Sequence, residues 1–279
     1  MGSIWETFPG HTQNMPTDIL ATLAGRSIHD LSVPLEAGMP VHPAHPPFSL
    51  ALQRRHGDTS RTGGMSSANE LIVMCGHSGT HLDALGHFSS HGKMCGGRIA
   101  AEGQTGGRGL RELGIETVDP VVCRGVLLDV AGAEGVEVLP HDFAVTAEIA
   151  QGVARAQGVE IRSGDAVLFR TGLIRQWEDP AFLDFDGGQP GITVDCAEWL
   201  TANDVFMAGA DTMAFEQVVE GTDALPVHPY LLVEQGIYIL ENADLESIAT
   251  AGLYEFLYVM TPLKFVGATA SPVRPLAIA

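Results

Sequence analysis

The sequence predicts an α/β fold: a single domain with a mostly buried mixed sheet flanked by helices. Three observations carry this. Short apolar runs of strand length recur along the chain, GVLLDV at 125–130, GDAVLFRTG at 164–172, VFMAGAD at 205–211 and GIYILENA at 236–243. Segments with helical spacing lie between them, the arrangement that alternating strands and crossover helices require. The 279 residues, 45% of them apolar, supply a sizeable core within the size that one α/β domain reaches.

Taken from the N-terminus, residues 1–25 are polar and broken by Pro9, Gly10 and Pro16, which predicts an arm ahead of a domain over 26–279. His29 to Leu35 alternates as a short strand does, and the prolines up to Pro47 then hold the chain extended. ELIVMC at 70–75, ending at Gly76, reads as a buried strand. Arg98 to Pro120 is rich in glycine and reads as an excursion from the core. After the strand at 125–130, Thr146 is placed to cap a helix over 146–157 in which Ile149, Val153 and Gln157 share a face. The strand at 164–172, a helix beginning in TVDCAEWLTAND and the strands at 205–211 and 236–243 complete the pattern.

Charge narrows the partners. With 15 basic and 34 acidic residues the formal charge is −19, so phosphate backbones and anionic bilayers repel the chain, and neither nucleic acid nor a membrane is expected. Charged residues are 18% of the total, below the quarter or so of an average domain, which predicts surface buried between subunits. Cys75, Cys95, Cys123 and Cys196 form no CxxC or disulfide framework, and the sequence has no secretory leader pattern and no run of about eighteen apolar residues. A cytoplasmic protein with a small-molecule substrate is the expectation.

The chemistry concentrates in HSGTHLDALGHF, residues 77–88. His77, His81 and Asp83 are imidazole and carboxylate ligands suited to a divalent Mn or Zn ion, and three such ligands leave positions open for water and substrate. On a straight strand His77 and His81 would be about 13 Å apart, at roughly 3.3 Å per residue. Ligands bound at about 2 Å to one ion are at most about 4 Å apart. The backbone must therefore bend between them, and Gly79 stands at the midpoint; a strand ending in a glycine bend is favoured over a helical i, i+4 pair.

His87, with an ordinary pKa near neutrality, is the expected proton-transfer base. Farther on, His228 opens an apolar stretch and Glu241 ends a strand, where open α/β sheets gather their ligands, so the two are assigned as catalytic or orienting groups. Taken singly, each of these histidines reads more often as a hydrogen-bonded core or surface residue, and Glu241 as a surface carboxylate. Asp211 and Thr212 sit at another strand end. His91 and Lys93 read as loop residues, Cys95 as an inert thiol, and Phe48, Phe88 and Tyr230 as either core or pocket wall.

HSGTHLDALGHF resembles the HxGTHxDxPxHF signature of the cyclase family, which includes bacterial kynurenine formamidases and isatin hydrolases. HDLSVPLEAGMPVHP and ATASPVRPLAIA resemble that family's opening and closing segments, so the similarity spans most of the chain. The resemblance implies a cyclase-family (swivelling β/α/β-like) architecture, His77, His81 and Asp83 as metal ligands, His87 as base, His228 and Glu241 in the pocket, and subunits paired as a homodimer or higher. Leu85 replaces the usual Pro, and His42 stands where many members have Trp.

The expected reaction is metal-dependent hydrolysis of the C–N bond in a small cyclic amide, isatin-like, by a metal-activated water with Ser78 or Thr80 supporting the ligands. The extra length, in the Gly-rich and Trp177-to-Pro190 segments, favours this over an arylformamidase or a lactone hydrolase. Two readings from other classes compete. His81, Asp83 and His228 also spell the facial triad of an Fe(II) oxygenase, although after His228 the first arginine is Arg274. A non-catalytic metal-binding protein is the other, disfavoured by the open coordination count.

Overall fold

The computed structural model describes residues 22–179, 182, 187–222 and 224–279. The arm expected over 1–25 falls almost wholly outside them. In chain order the strands of three or more residues are β1 (Ile28–Asp30), β2 (Ser49–Arg54), β3 (Asn69–Val73), β4 (His81–Asp83), β5 (Val121–Asp129), β6 (Ala166–Arg170), β7 (Met207–Ala210), β8 (Tyr238–Glu241), β9 (Glu255–Met260), β10 (Ala270–Pro272) and β11 (Leu276–Ile278). The longer helices are α1 (Ala147–Gln157) and α2 (Val194–Ala202).

Nine strands form one mixed sheet in the order β1, β11, β9, β5, β6, β7, β8, β4, β10. The centre is parallel, β5 beside β6, β6 beside β7 and β7 beside β8, and antiparallel strands extend it on both sides. Successive residues of a strand point to opposite faces, and the sheet uses both. Leu128, Phe169 and Ile239 pack under α1, α2 and the π-helical segment Pro229–Gln235, while Leu127, Leu168 and Leu240 pack on the other face with Leu82, Ile248 and Tyr258. Such two-sided burial is why these strands read as continuous apolar runs rather than alternating ones.

The predicted helix 146–157 forms as α1, with Thr146 Oγ1 accepting from the Ile149 amide at 3.3 Å and Gly158 closing it in a left-handed conformation. The strand expected at 125–130 begins earlier, at Val121, and the strand expected over 29–35 is confined to Ile28–Asp30.

One expectation is overturned. The 70–75 run does form a strand, β3, but it is exposed: it pairs with β2 alone in a separate two-stranded ribbon. Burial requires partners on the strand's faces, and the chain brings none there. All four cysteines are unpaired. Among the described residues no helix is long and apolar enough to cross a membrane.

Candidate metal centre

The site is built on β4 and β8. These strands are antiparallel with His81 directly opposite Glu241, and His81 and Asp83, two residues apart, share a face of β4. Strand period and register therefore bring three donor side chains together. Gly79 makes the bend just before β4, at φ +58°, and a Cβ there would lie 2.4 Å from the Leu35 side chain. The strand carrying the ligands thus follows the bend instead of ending in it. His77 reaches back from the near side of the bend, a turn after Asp83 returns His87, and His228 enters from the start of the π-helical segment.

Asp83 is the hub, fully buried. His77 Nδ1 lies 2.9 Å from Asp83 Oδ1 and His81 Nε2 3.6 Å from the same oxygen, while His87 Nε2 and His228 Nε2 each lie 3.8 Å from Oδ2. His81 Nε2 is also 3.1 Å from Glu241 Oε2. The structure thus brings all six sequence-predicted residues together, with the donor atoms in two sets that share Asp83: His77, Asp83 and His87, and His81, Asp83 and Glu241. The expected triad is divided between the two.

The donor atoms fit a divalent ion. Neither Asp83 oxygen nor His81 Nε2, all three buried, makes an aligned hydrogen bond among the described residues. Buried polar atoms left this way carry a desolvation cost that a cation relieves. The tautomer agrees, since His81 Nδ1 donates to the Gly79 carbonyl at 2.8 Å and so turns Nε2 toward the cluster. Imidazole and carboxylate oxygen suit Mn and Zn alike.

Electrostatics separate the roles. Burial raises the pKa of Asp83, but the imidazoles of His87, His77 and His81 outweigh it and hold the carboxyl well below its usual range. Burial also dominates at His87 and, aided by His77 and His228, brings it down to about 4, so the ring is neutral at physiological pH. For His228 burial pushes downward, but hydrogen bonds to Glu216 and Glu241 prevail and raise it to about 10.

Sequence reasoning missed Glu216. Its Oε1 accepts from His228 Nδ1 at 2.5 Å and from the His228 amide at 2.8 Å, and its Oε2 accepts from the Val227 amide at 2.7 Å. His228 Nε2 then meets Glu241 Oε1 at 3.2 Å, which leaves Oε2 of that carboxylate facing His81. A lone acid in the apolar run AGADTMAFEQVV was the available signal. Asn242, whose φ is +53°, was also missed; its side-chain amide donates to the Gly79 carbonyl at 3.1 Å.

Other candidates go elsewhere. Asp211 accepts from the Thr171 and Gly172 amides and the Thr171 hydroxyl at 2.7–2.8 Å, so it organises a turn. Thr80 Oγ1 donates to the Asn242 carbonyl and accepts from the Val33 amide, which ties strands together rather than touching a ligand ring. Ser78 is buried with its hydroxyl unpartnered. His91 and Lys93 are exposed, Cys95 lies beside Gly236, and Phe48 and Tyr230 pack into the cores. Phe88 does line the pocket, with Val41, His42, His45, Met213 and Leu225.

A family model described as a putative cyclase matches residues 29–217, more than half of the chain. The chain belongs to the cyclase family. A crystal structure described as a novel cyclase superimposes on this cyclase-family chain with a TM-score of 0.84 at 29% identity, covering 95% of this chain and 94% of that one. The kynurenine formamidase of Sphingopyxis alaskensis is 27% identical over 252 residues, 89% of this chain and 96% of its own length. The isatin hydrolase of Roseibium aggregatum is 26% identical over 220 residues, 74% of this chain and 73% of its own. Both relatives are hydrolases, and the groups around Asp83 are candidates for a metal in this cyclase-family member.

Proposed function

We propose that this protein is a metal-dependent hydrolase that opens the C–N bond of a small, uncharged cyclic amide of the isatin type. The observation that carries the reading is the buried Asp83 hub with its unpartnered donor atoms at the floor of a pocket. His77, His81 and Asp83 hold the ion, with Glu241 within the same reach. A divalent ion there supplies Lewis-acid polarisation of a carbonyl and lowers the pKa of water.

The remaining steps belong to the side chains. His87, neutral at physiological pH, takes the proton released as water adds to the carbonyl and returns it to the departing nitrogen, which leaves poorly unless protonated. Glu216 holds His228 protonated, and His228 in turn fixes one oxygen of Glu241, so the second oxygen keeps its aim at His81. Phe88, Met213, Val41 and Leu225 give a flat, apolar wall for a ring, and no lysine or arginine lines the pocket to pair with a substrate carboxylate. That lining favours a neutral cyclic amide over an amino-acid formamide, and it disfavours an oxygenase that binds an oxo-acid.

A hydrolysis screen of isatin, N-formylkynurenine and simple lactones tests this, with chelator-stripped protein and with Mn, Zn or Fe(II) restored separately. Activity should vanish on stripping, return with Mn or Zn and be greatest on isatin. Undiminished turnover by stripped protein, or a product formed only with oxygen uptake, would remove the reading.

A further inference from the structure

The ribbon of β2 and β3 stands outside both cores. Its register pairs Leu50 with Ile72 and Ala51 with Leu71, so Leu50, Leu52 and Ile72 lie on one face and Leu71 and Val73 on the other. These five side chains are 47% to 61% exposed. A two-stranded ribbon is marginally stable in water by itself, and one that shows apolar side chains on both faces lacks even a buried side. With Met65 in the connecting loop, the patch amounts to on the order of 600 Å². That is the upper end for the largest patch on a monomer, and most of the ~800 Å² that each partner gives to a standard interface.

Charge indicates what covers it. Residues 49–73 hold Arg54, Arg55 and Arg61 against Asp58 and Glu70, within a chain of formal charge −19. An anionic bilayer repels such a chain as a whole, whereas the acidic body of an identical chain attracts the basic arm. The ribbon also runs into the pocket at both ends. Phe48, just before β2, packs in a cluster with Val33, Met39 and Trp177, and Met74, just after β3, packs against the same cluster. Pro40 to His45 line the pocket, and His77 follows three residues after Met74.

We propose that the β2–β3 ribbon is the docking arm for a second copy of this chain, and that the docked copy holds the 40–48 wall of the pocket in place. Isologous pairing about a two-fold axis buries the same patch from both copies. None of this depends on the hydrolase reading, and the test uses no substrate.

The full-length protein is weighed by light scattering after gel filtration over a dilution series, beside the L50E/L71E variant. Amide exchange is followed over 40–48 and over the ribbon strands. Both side chains point to solvent in the single chain, so two carboxylates there leave its circular dichroism unchanged. We expect the wild type at twice the single-chain mass or an even multiple, the variant at the single-chain mass, and exchange over 40–48 at least tenfold faster in the variant. In the wild type alone, dilution to the single-chain mass should speed exchange over the ribbon strands, a readout that needs no variant. Single-chain mass for the wild type throughout, whether or not it floats with anionic vesicles, would overturn the proposal. So would an assembled mass that the variant retains. Equal protection of 40–48 in assembled and single chains would overturn the claim about the wall.

Discussion

Two apolar runs of this chain look alike on the page and end in opposite surroundings. GVLLDV, in β5, is flanked by β6 and β9 and packed on both faces; ELIVMC, in β3, has β2 for its single neighbour and stands in solvent. Local composition selects an extended backbone in both cases. Whether the strand is buried depends on how many partners the topology delivers, and those come from distant parts of the sequence. The difference also divides the labour: the central sheet carries rigid donors, and the ribbon offers a surface.

The sharpest way to break this division is to remove the hub of the buried side. Asp83→Asn keeps the size of the side chain but removes the carboxylate that both donor sets share, so ion uptake measured by elemental analysis should fall and hydrolysis drop by on the order of 10³-fold or more. His87→Ala should behave differently. It should retain the ion and lose about 10²–10⁴-fold in kcat, because proton transfer rather than coordination is removed. A metal-free His87→Ala protein would move His87 into the ligand set.

Stability draws the same line in units of free energy. Leu168 is fully buried between β5 and β7, so Leu168→Ala should lower the unfolding free energy by about 2–5 kcal/mol in urea melts. Leu71→Ala, at a position 61% exposed, should change it by less than about 0.5 kcal/mol when both are measured at dilutions where the chain is single. Equal costs would mean that the ribbon is part of the core after all.

How much of this was legible follows from which information is local. His77, His81, Asp83 and His87 fall within eleven positions, so the cluster could be seen at once, and the need for a bend at Gly79 followed from distances alone. The central strands were legible because burial on both faces leaves uninterrupted apolar runs. Strands β4, β9, β10 and β11 were not, because β4 and two of the other three have just three residues, and pairing through register, not composition, makes them strands. Glu216 was hidden for a related reason: its partners lie 11 and 12 residues ahead and include backbone amides that no side-chain pattern announces. Replacing it should reveal its role, with Glu216→Gln keeping the fold and the ion but lowering kcat about 10- to 100-fold, because His228 and Glu241 lose their alignment.

The smallest effect is on pH, and it belongs to the buried side alone, since the ribbon strands contain no histidine. In chelator-treated protein two histidines move in opposite directions. Burial holds His87 at about 4, below the ordinary 6.5, so the folded chain takes up its proton later than the unfolded chain does. Its contribution is complete above 6.5 and is lost as pH falls toward 4. Burial lowers His228 too, but the bonds to Glu216 and Glu241 bring it to about 10, so its contribution is complete below 6.5 and is lost as pH rises toward 10. Thermal midpoints should therefore peak near pH 6.5 and fall by a few degrees on either side. Glu216→Gln removes one of the two bonds that raise His228 and should flatten the alkaline limb while leaving the acid limb in place. An alkaline limb equally steep in that variant would mean that Glu241 alone sets the protonation of His228.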